Sequence, residues 1–212
     1  MPTADHALAY ARLGWPIVPC RGKIPCDSWA LPGERKAPAR GPQGYNSATT
    51  DEGLIRHWWR RFPDANIGLA AGHAFFVLDV DAGLGEESLG TLIERFGDLP
   101  DTLTQISGGG GRHLLFKAVP GLRNWSGRFF IDGGYASMPG LDIRTAGSGI
   151  IASPSIHPGT GRLYHWKKRH GPRSLLMGEI ELADAPEWLI RIATPPPENV
   201  VRFPARTEAD GG

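Results

Sequence analysis

The strongest constraint on the fold is a stretch that begins apolar and ends in two acids, Phe75-Phe76-Val77-Leu78-Asp79-Val80-Asp81. Its apolar residues are typical of a strand buried within a sheet. Because side chains alternate along a strand, Asp79 and Asp81 point to the same face. Adjacent carboxylates repel unless a cation lies between them, and an all-oxygen site suits Mg²⁺ or Mn²⁺. The alternative is that one acid only caps a helix indicated by residues 85–88.

Length and composition limit the possible classes of protein. The 212 residues, 41% of them hydrophobic, are enough for one large domain or one domain with an insert. No apolar run approaches the ~20 residues of a membrane span and the N-terminus lacks a signal peptide, so we expect a cytoplasmic protein without a membrane partner. Cys20 and Cys26 are expected to be reduced, and two cysteines cannot form a four-cysteine zinc site. A net charge of +1 excludes a globally basic nucleic-acid binder but not a local basic groove.

Apolar spacing and turn residues predict a chain of mixed α and β structure. The predicted helices cover residues 6–13, 50–62, 86–96 and 186–193, the second capped by Thr49 or Thr50. The predicted strands cover residues 16–20, 66–70, 75–81, 103–107, 112–117, 141–144, 149–152 and 163–166. We expect the strands at 66–70 and 75–81 to pair with each other in antiparallel fashion. Residues 21–47, rich in proline and glycine, and residues 118–139 are predicted to be irregular.

A run of four glycines at residues 108–111 precedes Arg112 and His113. Such a run forms either a turn or a loop that lies close to a substrate. The N–H groups of Gly110 and Gly111 and the side chains of Arg112 and His113 would suit a phosphate of a nucleotide. The run is not a P-loop, because the chain has no GxxxxGK[ST] sequence and the glycines precede a strand. A plain hairpin turn with a structural histidine is the alternative.

A third acid occurs in Gly140-Leu141-Asp142-Ile143-Arg144. Strand alternation places Asp142 and Arg144 on one face, which sets a carboxylate beside a cation. This pair is either part of the cation site or a surface salt bridge, and the local sequence fits both.

A basic segment follows, in which no acid occurs and Tyr164 and Trp166 are interleaved. Its basic residues are Arg162, Lys167, Lys168, Arg169 and Arg173. This pattern suits a DNA phosphate backbone with stacked bases, and the alternative is a solvated loop. For residues 56–61, which hold Trp58 and Trp59 among arginines, we expect the tryptophans to pack inward and the arginines to be solvated.

Taken in order, these motifs resemble the N-terminal primase–polymerase domain of plasmid and phage replication proteins, within the archaeo-eukaryotic primase superfamily. The resemblance covers about residues 6–192. It rests on Asn66-Ile67-Gly68-Leu69, Leu78-Asp79-Val80-Asp81, Leu99-Pro100-x-Thr102, Gly-Gly-Arg112-His113-Leu-Leu-Phe116, Gly140-Leu141-Asp142-Ile143-Arg144 and Ala152-Ser153-Pro154-Ser155-Ile156-His157-Pro158-x-x-Gly161-x-x-Tyr164-x-Trp166.

This resemblance implies an α+β fold, with an RRM-like antiparallel catalytic sheet packed against a second α/β unit. It implies that three acids hold two divalent metal ions, Mg²⁺ or Mn²⁺, namely Asp79, Asp81 and Asp142. By the same resemblance His113 contacts the phosphates of the incoming nucleotide, and Arg144 and residues 155–157, including Ser155 and His157, lie near it. Some relatives carry a cysteine-rich zinc stem before the third acid, but residues 114–141 contain no cysteine, so structural zinc is not expected.

The resulting functional prediction is a template-directed nucleotidyltransferase, a DNA primase/polymerase that extends or initiates primers on single-stranded DNA with dNTP or NTP substrates. The alternatives are a two-metal nuclease and a non-catalytic replication-initiator or single-strand-binding module. We expect residues 1–193 to form the catalytic domain and residues 194–212 to be a proline-rich linker toward downstream helical and helicase domains. We therefore expect residues 1–212 to extend existing primers and to start new ones poorly or not at all.

Overall fold

The computed structural model describes residues 3–25, 44–168 and 170–194, which form two antiparallel sheets and five α-helices. The helices are α1 (Thr3–Arg12), α2 (Glu52–Arg61), α3 (Leu84–Phe96), α4 (Pro172–Leu176) and α5 (Glu187–Ala193). The strands are β1 (Ile17–Arg21), β2 (Ile24–Pro25), β3 (Asn66–Ala70), β4 (Phe75–Val80), β5 (Leu103–Ile106), β6 (Arg112–Lys117), β7 (Trp125–Ile131), β8 (Gly134–Arg144), β9 (Gly149–Ala152) and β10 (His165–Trp166). The predicted α+β class is confirmed.

The strand β4 lies inside the larger sheet, whose order is β10-β5-β6-β4-β8-β7. Its apolar residues are all fully buried, as the continuous apolar run predicts. Phe75 and Val77 face a first hydrophobic core. Phe76 and Leu78 face a second core, which includes α3 and α5. Because both faces are covered, only the end of the strand at Asp79 can reach solvent.

The smaller sheet has the order β2-β1-β3-β9 and shares the first core with α1 and α2. In α2, Trp58 and Trp59 are buried and the arginines are exposed, as expected. The predicted cap of this helix was wrong by one or two residues. Asp51 is the N-cap, because its carboxylate accepts the N–H of Leu54 at 2.7 Å.

The predicted pairing of residues 66–70 with 75–81 was wrong. Strand β3 pairs with β1 and β9 in the smaller sheet, whereas β4 pairs with β6 and β8 in the larger one. The short connection between them carries the chain from one sheet to the other. Gly72 makes this possible, since its backbone has φ +90° and lies against Ala146, where a Cβ would clash.

The prediction that residues 118–139 are irregular was also wrong, because β7 and most of β8 lie there. This hairpin contains a register shift between Ser126 and Arg128, and its outer half is largely exposed. Exposure and the bulge weaken the alternation of apolar and polar residues from which strands are predicted. Strand β8 therefore extends well before the predicted start at Leu141.

Most of the proline-rich segment and the tail lie outside the described residues, including Cys26 and the predicted linker from residue 195 onward. In the part of the chain that the structure describes, no helix is long and apolar enough to cross a membrane.

Candidate active site

A row of polar side chains crosses the middle of the larger sheet. In the strand register Asp79 lies opposite His113 on one side and Asp142 on the other, and Gln105 lies opposite His113. Directly paired residues of antiparallel strands point to the same face. Three strands that are separated in the chain, β4, β6 and β8, therefore bring two of the predicted acids and the predicted histidine together.

Arg144 links the two carboxylates of this row. Its Nε donates to Asp79 Oδ2 at 3.0 Å and its terminal nitrogen donates to Asp142 Oδ2 at 2.6 Å. Asp79 and Asp142 are mostly buried, so their charges would repel strongly without this guanidinium. The predicted pairing of Asp142 with Arg144 is thus part of the acidic row and not an isolated surface salt bridge.

Asp81 lies just beyond the end of β4, and its N–H donates to the carbonyl oxygen of Gly140 at 2.8 Å. Partial burial raises the pKa of its carboxyl, and the nearby charges of Asp79 and Asp142 raise it further. The three acids therefore form one electrostatic cluster in which Asp81 is the most exposed member. Such a cluster favours the binding of a cation.

The tautomer of His113 is set by Gln105. The Gln105 amide nitrogen donates to the carbonyl of Ile151 at 2.8 Å and lies 2.8 Å from His113 Nδ1, while its oxygen accepts the N–H of Ser153 at 2.6 Å. Since the amide nitrogen only donates, Nδ1 accepts and the proton is carried by Nε2. That Nε2 lies 3.5 Å from Asp79 Oδ1. Burial lowers the pKa of His113, with Asp79 opposing the shift, so the ring is a neutral donor.

A cavity of about 190 Å³ opens in front of this row. Its lining combines residues of both sheets, namely Lys23, Tyr45, Asp79, His113, Arg144, Ser148, Gly149, Ile150, Ile151 and Tyr164. Sequence analysis did not identify Lys23, Tyr45 or Gln105. Only Gln105 had a signal, because a hairpin closed by the glycine run places it opposite His113.

The glycine run forms a tight hairpin turn rather than an open anion cradle. The N–H groups of Gly110 and Gly111 donate to Ser107, at 2.9 Å and 3.0 Å, so these two donors are already used. A Cβ on Gly111 would lie 2.4 Å from the carbonyl oxygen of Val80. The glycines are therefore needed because the turn packs against the end of β4, which corrects the expectation that Gly110 and Gly111 bind phosphate through their amides.

Two further predicted nucleotide-binding residues are engaged elsewhere. Arg112 forms a two-pronged ion pair with Glu86 of α3, on the opposite face of β6 from His113. Ser155 is buried, and its hydroxyl accepts the N–H of Ile67 at 2.8 Å. Strand alternation explains the first case, and the need to satisfy the start of β3 explains the second.

His157 lies beside the glycine turn. Its Nδ1 accepts the N–H groups of Gly159 and Thr160, both at 3.2 Å, so its proton is on Nε2, above Gly109. The ring of Tyr164 lies between those of His157 and His113, with centroid distances of 5.8 Å and 6.0 Å. A series of mutually tilted rings thus connects the cavity with the turn.

The family of the chain follows from a comparison with known protein families. The sequence pattern of the bifunctional DNA primase/polymerase N-terminal domain matches residues 7–188. The chain belongs to this family. Family membership supports a DNA primase/polymerase type of function in replication, with DNA and nucleotides as substrates. No curated protein matches the chain.

Members of the family are generally metal-dependent, and the acidic row fits that requirement chemically. It offers carboxylate oxygens, which Mg²⁺ and Mn²⁺ prefer, and the guanidinium of Arg144 already bridges Asp79 and Asp142 as a cation. Among the described residues, however, no three His, Cys, Asp or Glu side chains are arranged as a ready metal site. The side chains must therefore rearrange before an ion can be held by all three acids.

The predicted DNA-binding segment lies at the surface. Arg162, Lys168 and Arg173 are exposed, Lys167 pairs with Asp101 at 3.3 Å, and Arg169 lies outside the described residues. The expectation that Trp166 stacks on bases was wrong. It packs against the first core, and its indole N–H donates to Tyr10 Oη at 3.0 Å.

Proposed function

We propose that this primase/polymerase domain is a template-directed nucleotidyltransferase that extends DNA primers by two-metal catalysis. The observation that carries the proposal is the row in which His113, Asp79 and Asp142 lie side by side on three adjacent strands. A triphosphate donor needs carboxylates for its metals and uncharged or cationic donors for its phosphates. Asp79, His113 and Arg144 offer both in the wall of one cavity, and Asp142 lies beside Asp79 on the next strand.

Asp79, Asp81 and Asp142 would hold the ions, Mg²⁺ or Mn²⁺. When bound, the ions supply Lewis-acid stabilisation of the primer 3′-hydroxyl and of the leaving pyrophosphate. The protein's contribution is to fix these carboxylates on one rigid sheet, where Asp79 and Asp142 are paired in register. A rigid sheet keeps the reacting groups aligned better than loops would.

Two donors are placed to bind the phosphates. The Nε2–H of His113 is held in its tautomer by Gln105, and it can donate to a phosphate oxygen without changing charge. His157 offers a second Nε2–H across the ring of Tyr164. Both are neutral donors, so they orient the triphosphate, and the cationic groups of the cavity offset its charge.

Arg144 is proposed to change partners during binding. In the structure its guanidinium contacts both Asp79 and Asp142, the carboxylates that would bind the ions. If those carboxylates held the ions, the guanidinium of Arg144 would be free to contact the phosphates of the nucleotide, where it would stabilise developing negative charge. The same side chain would thus neutralise the two carboxylates and contribute to phosphate binding.

DNA is proposed to lie along the exposed basic residues, which include Arg162, Lys168 and Arg173. Phosphate contacts of this kind give affinity without sequence preference. We also propose that residues 194–212 are a linker toward downstream helical and helicase domains. The setting we propose is plasmid or phage replication.

A metal-dependent incorporation assay on a primed template tests the proposal. Lengthening of the primer in the presence of dNTPs and Mg²⁺ or Mn²⁺ is the expected result. Shortening would identify a two-metal nuclease, and gel retardation without any change in length would identify a non-catalytic DNA-binding module. A variant with Asp142→Asn serves as the control, since it removes one of the three carboxylates.

A further inference from the structure

Besides Arg144, the cavity contains a cation that comes from the smaller sheet. Lys23 lies in the two-residue turn between β1 and β2, which is closed by the pair Arg21 and Ile24. Gly22 adopts φ +61° there, a conformation that two-residue hairpin turns require. The turn places Lys23 in the wall of the cavity that holds Asp79 and Arg144.

The turn is attached to the rest of the site by Asn66. This side chain is mostly buried, and its amide nitrogen donates to the carbonyls of Gly22 at 2.9 Å and of Ile156 at 2.8 Å. Its oxygen accepts the N–H of Ile156 at 3.0 Å. One amide therefore ties the turn that carries Lys23 to the segment that carries His157, so both donors keep a fixed position relative to each other.

Lys23 carries a charge that no described residue neutralises by an ion pair. Among the residues that the structure describes, its ammonium group is in no ion pair, whereas Arg144 is paired with two carboxylates. Its charge nevertheless acts on the site: burial lowers the pKa values of His113 and His157 and Lys23 lowers them further, while Lys23 opposes the rise in the pKa of Asp81. An exposed, uncommitted cation beside two phosphate-donor histidines is suited to a polyanionic ligand.

We propose that Lys23 binds the triphosphate of the incoming nucleotide, and that Asn66 is the residue that positions it. The inference rests on the proposed function, because the ligand is its nucleotide substrate. The two sheets then share the task of binding. The larger sheet supplies His113 and Arg144, the smaller sheet supplies Lys23, and the segment that follows β9 supplies His157.

The test is the dissociation constant of a non-hydrolysable dNTP analogue, measured on the full chain with Mn²⁺ present. Lys23→Ala is expected to raise it about tenfold or more, the effect of losing one charge-assisted contact. Lys23→Arg should keep most of the affinity. The corresponding nucleoside, which has no phosphate, should bind Lys23→Ala and the wild type equally, because the proposed contact is to the triphosphate.

Arg21→Ala is the matched control. It removes the same charge from the same hairpin, but Arg21 lines a different cavity, of about 520 Å³, on the other side of the turn. Its affinity for the analogue is expected to equal that of the wild type. If Arg21→Ala weakens binding as much as Lys23→Ala does, the effect is general electrostatics and the proposal is overturned.

Asn66→Ala tests the positioning role through a double-mutant cycle. It should weaken binding of the analogue, and adding Lys23→Ala should cause little further loss, because the two residues act as a unit. Additive losses would overturn the role of Asn66. Lys23 is on an exposed turn, so its variants are expected to fold and decide the main proposal even where Asn66→Ala does not fold.

Two failures can be distinguished. A wild-type chain that binds no triphosphate and incorporates no nucleotide would overturn the proposed function and the role of Lys23 with it. Normal incorporation by the wild type, with an unchanged dissociation constant for Lys23→Ala, would overturn the role of Lys23 alone. A weaker affinity of Lys23→Ala for primed DNA, with nucleotide affinity unchanged, would assign the lysine to the template and also overturn the proposal.

Discussion

Replacement of Gln105 by leucine should destabilise the protein and should allow His113 to adopt either neutral tautomer. The amide of Gln105 is fully buried and makes three contacts, with the carbonyl of Ile151, the N–H of Ser153 and Nδ1 of His113. Leucine is similar in size but can make none of them. Three buried polar groups would then lose their partners at the junction of the two sheets.

The expected magnitude follows from these three groups. An unsatisfied buried donor or acceptor costs about 1–3 kcal/mol, which gives about 3–9 kcal/mol in total. Burial of the leucine returns about 1.5–3 kcal/mol, so mid-range values of about 6 and about 2 kcal/mol give an expected net loss of about 4 kcal/mol. For a domain of this length each kcal/mol corresponds to about 2–4 °C in melting temperature, and the expected decrease is about 8–16 °C.

Urea unfolding measures the free energy of unfolding, and Asn124→Leu is the matched control. Asn124 also bridges two backbone groups, the N–H of Thr145 and the carbonyl of Ala146, but its amide is exposed, and water can replace it. The control should lose only about 1 kcal/mol. Equal losses in the two variants would refute the argument from burial.

The imidazole ¹⁵N spectrum measures the tautomer of His113. The wild type should carry its proton on Nε2, and Gln105→Leu should show a mixture of both tautomers, because nothing then donates to Nδ1. A wild-type ring protonated on Nδ1 would refute the assignment made from the structure.

Three further predictions concern the charged groups of the site. Asp79→Asn and Asp81→Asn should both abolish incorporation. Only Asp81→Asn should raise the melting temperature at neutral pH, since the raised pKa of Asp81 means that its ionised form destabilises the fold, and this gain should vanish below its ordinary pKa of 3.8. An equal gain for Asp79→Asn, which loses an ion pair with Arg144, would contradict this reasoning. His113→Ala should weaken nucleotide binding by about 10–100-fold in a calorimetric titration and spare binding of primed DNA, and unchanged nucleotide affinity would make the histidine structural. Arg144→Ala should bind Mn²⁺ more tightly without nucleotide, as followed by electron paramagnetic resonance, yet incorporate nucleotides more slowly; unchanged Mn²⁺ affinity would show that the guanidinium does not compete with the ion.

Local periodicity was sufficient to predict the parts of the site that lie within one element. The alternation of side chains along a strand placed Asp142 and Arg144 on one face, and their ion pair of 2.6 Å confirms that they meet. The apolar run before Asp79 predicted a buried strand, and the glycine run predicted either a turn or a loop close to a substrate, of which the structure shows the turn. These features depend on residues a few positions apart, so the sequence alone carries the necessary information.

The partners of each strand were decided only by the tertiary structure. Strands β3 and β4 are neighbours in sequence and were expected to pair, yet they belong to different sheets. Pairing depends on how well whole faces are buried, and that is a property of distant segments together. The same long-range choice brings His113 beside Asp79 and lets Arg144 bridge two strands.

The residues that complete the site illustrate the same physical limit. Lys23 lies in a turn whose sequence gives no hint of a ligand, and Gln105 acquires its role only when β9 supplies the backbone groups it binds. A side chain's charge and hydrogen-bonding capacity are fixed by its identity in the sequence. Which groups it meets is fixed by the packing of the two sheets, because contacts between residues far apart in the chain exist only after that packing has formed.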